Sequence, residues 1–554
     1  MANGTHVKLS GSQRGRDRLA FEVGAVDPRE KVTVIIGLSG PKLPGPDEFV
    51  GQRFEPEELE KKFGARREDA KKVAESLKKH GLKVEEVSLG TRTMRVSGTA
   101  EAMESAFKPE WAIYRSPDCR RSYRSRHGAI QIPKELEGIV TGVFGLDLRK
   151  MVRRRSGTGS GARSPLTPAK IEQRYNFPRG DGAGQSIAIA QFGGGILGKD
   201  VKAYFTKFRR PIPSIKPISL SADAPAYTLS GILAIRSPYQ RKIELEESFE
   251  VTTDVELIGG LCPKASISVY FSTWDQAGWI HLLTSVIAAR PVPVVLSISW
   301  GFPENSSPNE PYWSADALDK IDELLNQAAL QGITTCVSAG DDGCRDNSWM
   351  ATVDFPASSP NVLAVGGTML DNSGDEVTWW EHPDEYYWGG GATGGGVSMY
   401  FQRPAWQNVN IASINPASID GRVVPDVSAL AGSPYYILSY LNMWWTGGLT
   451  SASAPVWAAL IARINAKLPL HKRLPFLTPL LYQKLPNGVP LGQASCRDIV
   501  KGDNHCYNLQ GYQAGPGFDA VTGWGVPNGQ ELLKYLSKII TPLPPIRRLR
   551  RPVL

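Results

Sequence analysis

Three short stretches carry residues that could do chemistry together. Residues 446–460, TGGLTSASAPVWAAL, pass from a glycine pair through Thr-Ser into an apolar segment at helical spacing. Ser451 would stand near the unpaired N–H groups and positive end of a helix, which favour a nucleophile and a developing oxyanion. Ser, Thr and Pro are equally at home there as plain helix caps. Residues 250–254, EVTTD, put Glu250 and Asp254 one helical turn apart on the same face. Carboxylates so placed repel, and one pKa rises, which suits a base and its support in acid. Glu244, Glu246 and Glu247 nearby would equally fit a solvated acidic face. Residues 337–343, VSAGDDG, follow an apolar run and put Asp341 either at a strand's carboxyl end, where α/β sheets keep their sites, or in an ordinary turn.

The elements that must position these residues fall into three regions. Residues 1–150 alternate strand-like runs (31–37, 83–87, 92–97) with helix-like ones (56–63, 67–80, 100–107), the order of a small α+β sandwich of ferredoxin-like type. Residues 151–168, MVRRRSGTGSGARSPLTP, read as an exposed linker open to proteolysis. Residues 169–540 hold short β-rich apolar runs at 186–192, 266–271, 292–300, 333–339 and 362–365, with helical segments such as 315–331 between them. Strands buried on both faces and separated by helices predict a parallel α/β sheet. Residues 541–554 form a basic tail.

With 554 residues the chain exceeds one ordinary core, and 41% hydrophobic and 21% charged residues are globular proportions. No apolar run approaches the roughly 18 residues a membrane span needs, and residues 1–18 lack the apolar segment of a secretion signal. The net charge of +8 comes from clusters at 120–126, 149–155 and 547–551, which read as loops, linker and terminus, so no nucleic-acid partner is expected. Six cysteines without a CxxC pair exclude a disulfide scaffold and make zinc unattractive. Of the seven histidines, His6, His80 and His127 precede the linker. His281, His382, His471 and His505 lie in no turn of the kind a Ser-His-Asp triad uses.

Taken together, TSASAP at Ser451, the Glu250/Asp254 spacing and AGDDG resemble the active-site segments of the sedolisins, the serine-carboxyl peptidases, and most of all their kumamolisin-type members. SISWG (297–301), VDFPASSP (353–360), GGATGGGVS (390–398) and AGPGFDAVTGWG (514–525) agree in order and content, and HGLKV, RVSGT and FGLD resemble the family's propeptide. The resemblance spans residues 20–540. It implies a subtilisin-like domain behind an inhibitory, chaperoning propeptide. Ser451 would be the nucleophile, Glu250 its general base, Asp254 the support of Glu250, and Asp341 a protonated donor to the oxyanion, hence a preference for acid.

Carboxylates beside glycine-rich turns near the C-terminus suit a hard cation. By resemblance this is one Ca2+ site, with side chains of Asp498 and Asp519 and carbonyls of Ile499, Gly515 and Gly517. The resemblance also makes Asp354 a candidate for the pocket of the residue before the cut, where a buried carboxylate would favour Arg or Lys. Trp300, Gly394 and Gly395 are expected along an extended substrate, residues 389–396 forming a backbone ledge. Cys344–Cys506 is one possible disulfide and Cys496–Cys506 another. Two departures from the family pattern stand out: relatives read Gly-Thr-Ser where this chain reads Gly448-Leu449-Thr450-Ser451, so Leu449 is either inserted or replaces a Gly, and Gln191 stands where some carry a further Glu. The reading is a self-processing acid endopeptidase precursor, monomeric and extracellular, acting on proteins or peptides and on its own propeptide. A tripeptidyl aminopeptidase and a catalytically dead peptide binder are its rivals.

Overall fold

The computed structural model describes residues 5–16, 20–115, 122–154, 157–158, 163–307, 310–346, 348–383, 390–415, 417, 419–469 and 473–539. The basic tail, His471, Gly389, and linker residues 155–156 and 159–162 lie outside the described residues.

The amino-terminal region builds a four-stranded antiparallel sheet from β1 (Lys31–Leu38), β2 (Lys83–Ser88), β3 (Thr93–Thr99) and β4 (Val140–Phe144), in the order β2-β3-β1-β4. Helices α1 (Pro56–Phe63), α2 (Arg67–Lys79) and α3 (Ala100–Phe107) accompany it. The β-α-β-β-α-β succession is the ferredoxin-like one. Val32, Val34 and Ile36 alternate into a core shared with Val73, Leu77, Met103 and Phe107. A second sheet of Phe21–Gly24, Glu110–Arg115 and Ser122–His127 was not foreseen. Phe21–Gly24 is exposed, and Ser122–His127 buries Arg124, Ser125 and Arg126 rather than an apolar face, so neither strand shows the alternation that announces a strand.

The larger region is organised around an eight-stranded sheet. Its strands are β5 (Ser186–Gln191), β6 (Ser214–Ser219), β7 (Ser266–Phe271), β8 (Val295–Ile298), β9 (Thr334–Ser338), β10 (Leu363–Leu370), β11 (Glu376–Thr378) and β12 (Val427–Leu430). The order is β6-β7-β5-β8-β9-β10-β11, with β12 also on β10, and only the β10–β11 pair is antiparallel. The five strand runs expected from the sequence all lie in this sheet. The run at 292–300 is broken at Ser299, so that Trp300–Pro303 turns off to pair with Asp354–Phe355. On the faces lie α4 (Pro238–Leu261), α5 (Gln276–Ile287), α6 (Ala315–Leu330) and α7 (Thr450–Asn465).

Two of these helices carry the candidate chemistry. Helix α4 starts with Pro238 behind Ser237, whose side chain accepts the Gln240 N–H. It runs 24 residues, and every residue from Glu247 to Leu261 is buried. This excludes the solvated acidic face. Helix α7 packs against α4 and is buried from end to end. The amino-terminal unit rests on α5 and α6. There Arg92 pairs with Glu323 at 3.0 Å, and the Lys320 ammonium donates to the Thr91 and Arg92 carbonyls at 3.0 and 3.2 Å.

Candidate active site

The carboxyl ends of β5, β8 and β9 bring the expected residues to one place. Gln191 ends β5, Ser299 follows β8, and Asp341 follows β9. Glu250 and Asp254 face them from the middle of α4, and Ser451 from the first turn of α7. Glu250, Asp254 and Ser451 are each fully buried, and Asp341 is 2% exposed.

Both oxygens of Asp254 are held. Ser299 Oγ donates to Oδ1 at 2.7 Å and Gln191 Nε2 to Oδ2 at 2.6 Å, while Gln191 Oε1 accepts from the Trp300 indole at 3.0 Å. Burial, and next the neighbouring charge of Glu250, push the Asp254 carboxyl well above the ordinary range; the hydrogen bonds from Ser299 and Gln191 pull the other way and do not win. Ser299 also ties the pair to Ser451. Its hydroxyl lies 3.3 Å from the Ser451 carbonyl, and its carbonyl accepts from Ser451 Oγ at 3.4 Å. The Ser451 carbonyl is available because Pro455, four residues on, has no N–H to donate to it.

On the other side, Asp341 Oδ1 accepts two hydrogen bonds from Thr450, from its N–H at 2.9 Å and its hydroxyl at 2.6 Å. This anchors the first turn of α7. The residue before it, Leu449, has φ 68° and ψ −177°, a conformation open almost only to glycine and costing about 1–3 kcal/mol in other residues. The departure noted in the sequence thus falls on a backbone built for Gly. Leu449 is held by its N–H to the Ala431 carbonyl at 2.7 Å and by packing with Trp379, Ala431 and Met369.

The linker enters this site. Arg153–Arg154 pairs antiparallel with Trp300–Pro303, Arg153 opposite Gly301 and Arg154 opposite Trp300. Gly157–Thr158 pairs antiparallel with Met443–Gly448, Gly157 opposite Gly448. The two described pieces are therefore held one on the edge that follows Ser299 and the other on the strand that leads into α7, each as an extended peptide binds a sheet edge.

The remaining expected residues are placed as follows. Trp300 contributes its backbone edge to that pairing while its indole is buried against Phe192. Asp354 is fully buried, and a Cβ on Gly301 would stand 2.4 Å from its Oδ2, so the carboxylate lies directly behind the cleft strand. Gly394 and Gly395 are buried too. A Cβ on either would meet a carbonyl oxygen of the protein itself, Ala339 at 2.0 Å or Ala520 at 2.3 Å, so the close approach they permit is to the catalytic loop's own support. In the C-terminal loop, Gly517 N–H donates to Asp498 Oδ2 at 2.7 Å. Asp519 accepts from the N–H groups of Gly515, Val521 and Thr522. Burial raises the Asp519 carboxyl to about 6. Cys344 and Cys496 are free thiols, so neither expected disulfide is formed. Sequence reasoning missed Ser299 and Asp342. The first lies inside an apolar strand run, and the second beside an Asp already assigned a role.

Comparison with known proteins agrees with this geometry. Residues 21–149 match the family model described as Pro-kumamolisin, activation domain, and residues 245–484 match the subtilase family. The chain is 34% identical to kumamolisin of Bacillus sp. (strain MN-32) over 95% of its own length and 96% of that protein's. It is 25% identical to tripeptidyl-peptidase sed5 of Aspergillus fumigatus, over 96% and 98%. Among solved structures, a Pseudomonas sedolisin complexed with two molecules of pseudo-iodotyrostatin superposes with a TM-score of 0.55 at 24% identity, covering 69% of this chain and all of that one, which bears on the fold. With a propeptide match, a subtilase core and near full-length similarity to kumamolisin, the chain belongs to the sedolisin family of serine-carboxyl peptidases, as a precursor that carries its activation domain.

Proposed function

We propose that Ser451 attacks the peptide carbonyl, Glu250 takes its proton, Asp254 supports Glu250, and Asp341 donates to the oxyanion. The observation that carries this reading is the strand pairing of the protein's own linker, Arg153–Arg154 with Trp300–Gly301 after Ser299 and Gly157–Thr158 with Gly447–Gly448 before α7. The bond to be cut then lies between Arg154 and Gly157, within the expected 151–168 linker. Asp341 Oδ1 accepts from Thr450, which fixes the carboxyl at the start of α7, and a proton on Asp341 would make it the donor that an oxyanion needs. The dry surroundings of Asp254 keep one proton on the Glu–Asp pair up to higher pH than free carboxylates would allow. Residues 1–150 act as the inhibitory unit, 169–540 as the peptidase, and the residues of a Trp300–Gly301 edge backed by Asp354 receive the substrate on the acyl side. The endopeptidase reading is preferred to a tripeptidyl aminopeptidase because residues well inside the chain, 153–154 and 157–158, are the ones paired with the edges beside Ser299 and α7. The enzyme is read as a monomer acting outside the cell; no helix among the described residues is long and apolar enough to cross a membrane.

Calcium fits the C-terminal loop. Asp498 accepts the Gly517 N–H and Asp519 the Gly515 N–H, so both carboxylates border one glycine turn, and Asp519 is buried there. Asp498, Asp519 and the carbonyls of Ile499, Gly515 and Gly517 would hold the ion, which would pin the loop that ends beside α7. Among the described residues no group of three or more His, Cys, Asp or Glu side chains converges, so backbone oxygens must supply the rest.

The test is self-cleavage of purified precursor at about pH 4. Loss of cleavage in Ser451→Ala, and slowing of about 10²–10⁴-fold in Glu250→Gln, are expected. An intact wild-type chain under all acid conditions would favour the peptide-binder reading.

A further inference from the structure

The linker is held in the cleft by charge as well as by backbone pairing. Arg153 forms a two-pronged ion pair with Asp342, Nη1 to Oδ2 at 2.5 Å and Nη2 to Oδ1 at 3.2 Å, with side-chain exposures of 20% and 8%. Such paired guanidinium–carboxylate geometry is the strong, orientation-specific form of the interaction. Arg154 lies 3.7 Å from Glu246, and Lys150 lies 3.8 Å from Glu247 and over the Trp274 ring at 3.9 Å. Three cations within five residues, Lys150, Arg153 and Arg154, thus meet carboxylates on two walls of the cleft, Asp342 beside Asp341 and Glu246 and Glu247 on α4.

Asp342 is fixed independently of the linker. It follows Asp341 directly, and the segment bridges to Ala392, whose N–H donates to the Asp341 carbonyl at 2.9 Å. Arg153, by contrast, rides on the segment that processing removes. Processing takes Arg153 away from Asp342, and an incoming substrate that brings a cation to the same register re-forms the pair.

Building on the peptidase reading above, we propose that Asp342 is a specificity-determining residue. It selects Arg or Lys at the substrate position that lies opposite Gly301, so the enzyme's preferred substrates are polybasic segments resembling its own linker. Opposite-charge contacts across the strand edge set both affinity and register. This selection is separate from any made by Asp354, which lies behind the strand rather than beside it.

The decisive measurement uses acid-activated wild-type protein and peptides copying residues 148–160, with Arg, Ala or Glu at the position of Arg153. Mass spectrometry checks that the same bond is cut. Arg should exceed Ala by about ten- to a hundredfold in kcat/KM, the worth of a charge-assisted pair, and Glu should fall below Ala. Asp342→Asn should collapse the Arg-to-Ala ratio towards unity. In the full-length chain Arg153→Asp should slow self-processing, and adding Asp342→Arg should restore it. Equal cleavage of the three peptides by wild type would overturn the inference while leaving the peptidase standing. Cleavage of none would overturn both.

Discussion

Replacing Leu449 by alanine and by glycine should invert the usual order of those two residues. In ordinary backbone glycine is the worse choice, by about 0.5–1 kcal/mol, because it has more freedom to lose. At φ 68° and ψ −177° alanine keeps the strain of about 1–3 kcal/mol that any Cβ incurs there, and glycine sheds it. Both variants lose the packing of a side chain that is 5% exposed and touches Trp379 and Ala431, a loss of about 2–5 kcal/mol for large-to-small changes in a core. Both should therefore be less stable than the parent. The glycine variant should nevertheless exceed the alanine variant by about 1–2 kcal/mol, a factor of roughly 5–30 in the folded-to-unfolded ratio. Urea unfolding of full-length protein in a Ser451→Ala background, which removes self-digestion, measures this directly, and thermal inactivation rates provide the check where unfolding is irreversible. Alanine equal to or better than glycine would refute the strain at Leu449. The linker adds a second readout. A Cβ on Gly157 would stand 3.0 Å from Leu449 Cδ1, so the leucine side chain lies under the linker strand, and either truncation should loosen the linker and speed its proteolysis.

Asp322, on α6, is buried among Ser359 and Asn361, and burial raises its carboxyl from 3.8 to about 6. The native state then holds a proton the unfolded chain has released, so the stability it lends is full below the unfolded pKa and lost as pH rises to about 6, roughly 3 kcal/mol in all. Asp322→Asn should flatten that part of the stability–pH curve, measured in the Ser451→Ala background. Chelation of calcium should lower the melting temperature of wild type, because a ligand bound only by the native state adds to its stability, and should lower that of Asp519→Asn much less; identical melting with and without chelator would remove Asp498 and Asp519 as ligands. Gln191→Glu would put a further carboxyl beside Asp254 in place of a permanent N–H donor; losing that donor and adding a like charge both raise the pKa of the pair, so the activity–pH profile should shift to higher pH, and an unmoved profile would deny Gln191 a role in setting it.

The sequence made the parts that obey a period easy to read. The five β-rich runs of the larger region all became strands of the central sheet, and the helices at 56–63 and 100–107 have the bounds expected of them, because apolar spacing alone dictates those elements. Strand Ser214–Ser219 escaped, since it buries no residue and its pairing rests on backbone hydrogen bonds that leave no mark in hydropathy; the sheet around Glu110–Arg115 escaped because its partner strand Ser122–His127 is polar. Glu250 and Asp254 could be suspected from spacing, but whether that face was wet or dry depended on α7 packing over it, a contact between residues some two hundred positions apart. Ser299 was hidden for a different reason: its role comes from a break in a strand, and a run of β-formers gives no sign of where it will break. Asp342 shows the limit most clearly. Its partner lies in the linker, whose composition advertises flexibility, so the cationic run at 153–155 read as solvated charge until the strand pairing with Gly301 supplied its register. Charge in a segment destined for removal is informative about the cleft that holds it, because that cleft must hold the segment before cutting it and release it afterwards. An ion pair suits both demands better than apolar burial does: it fixes position while the chain is intact, and each end can be rehydrated once the chain is cut.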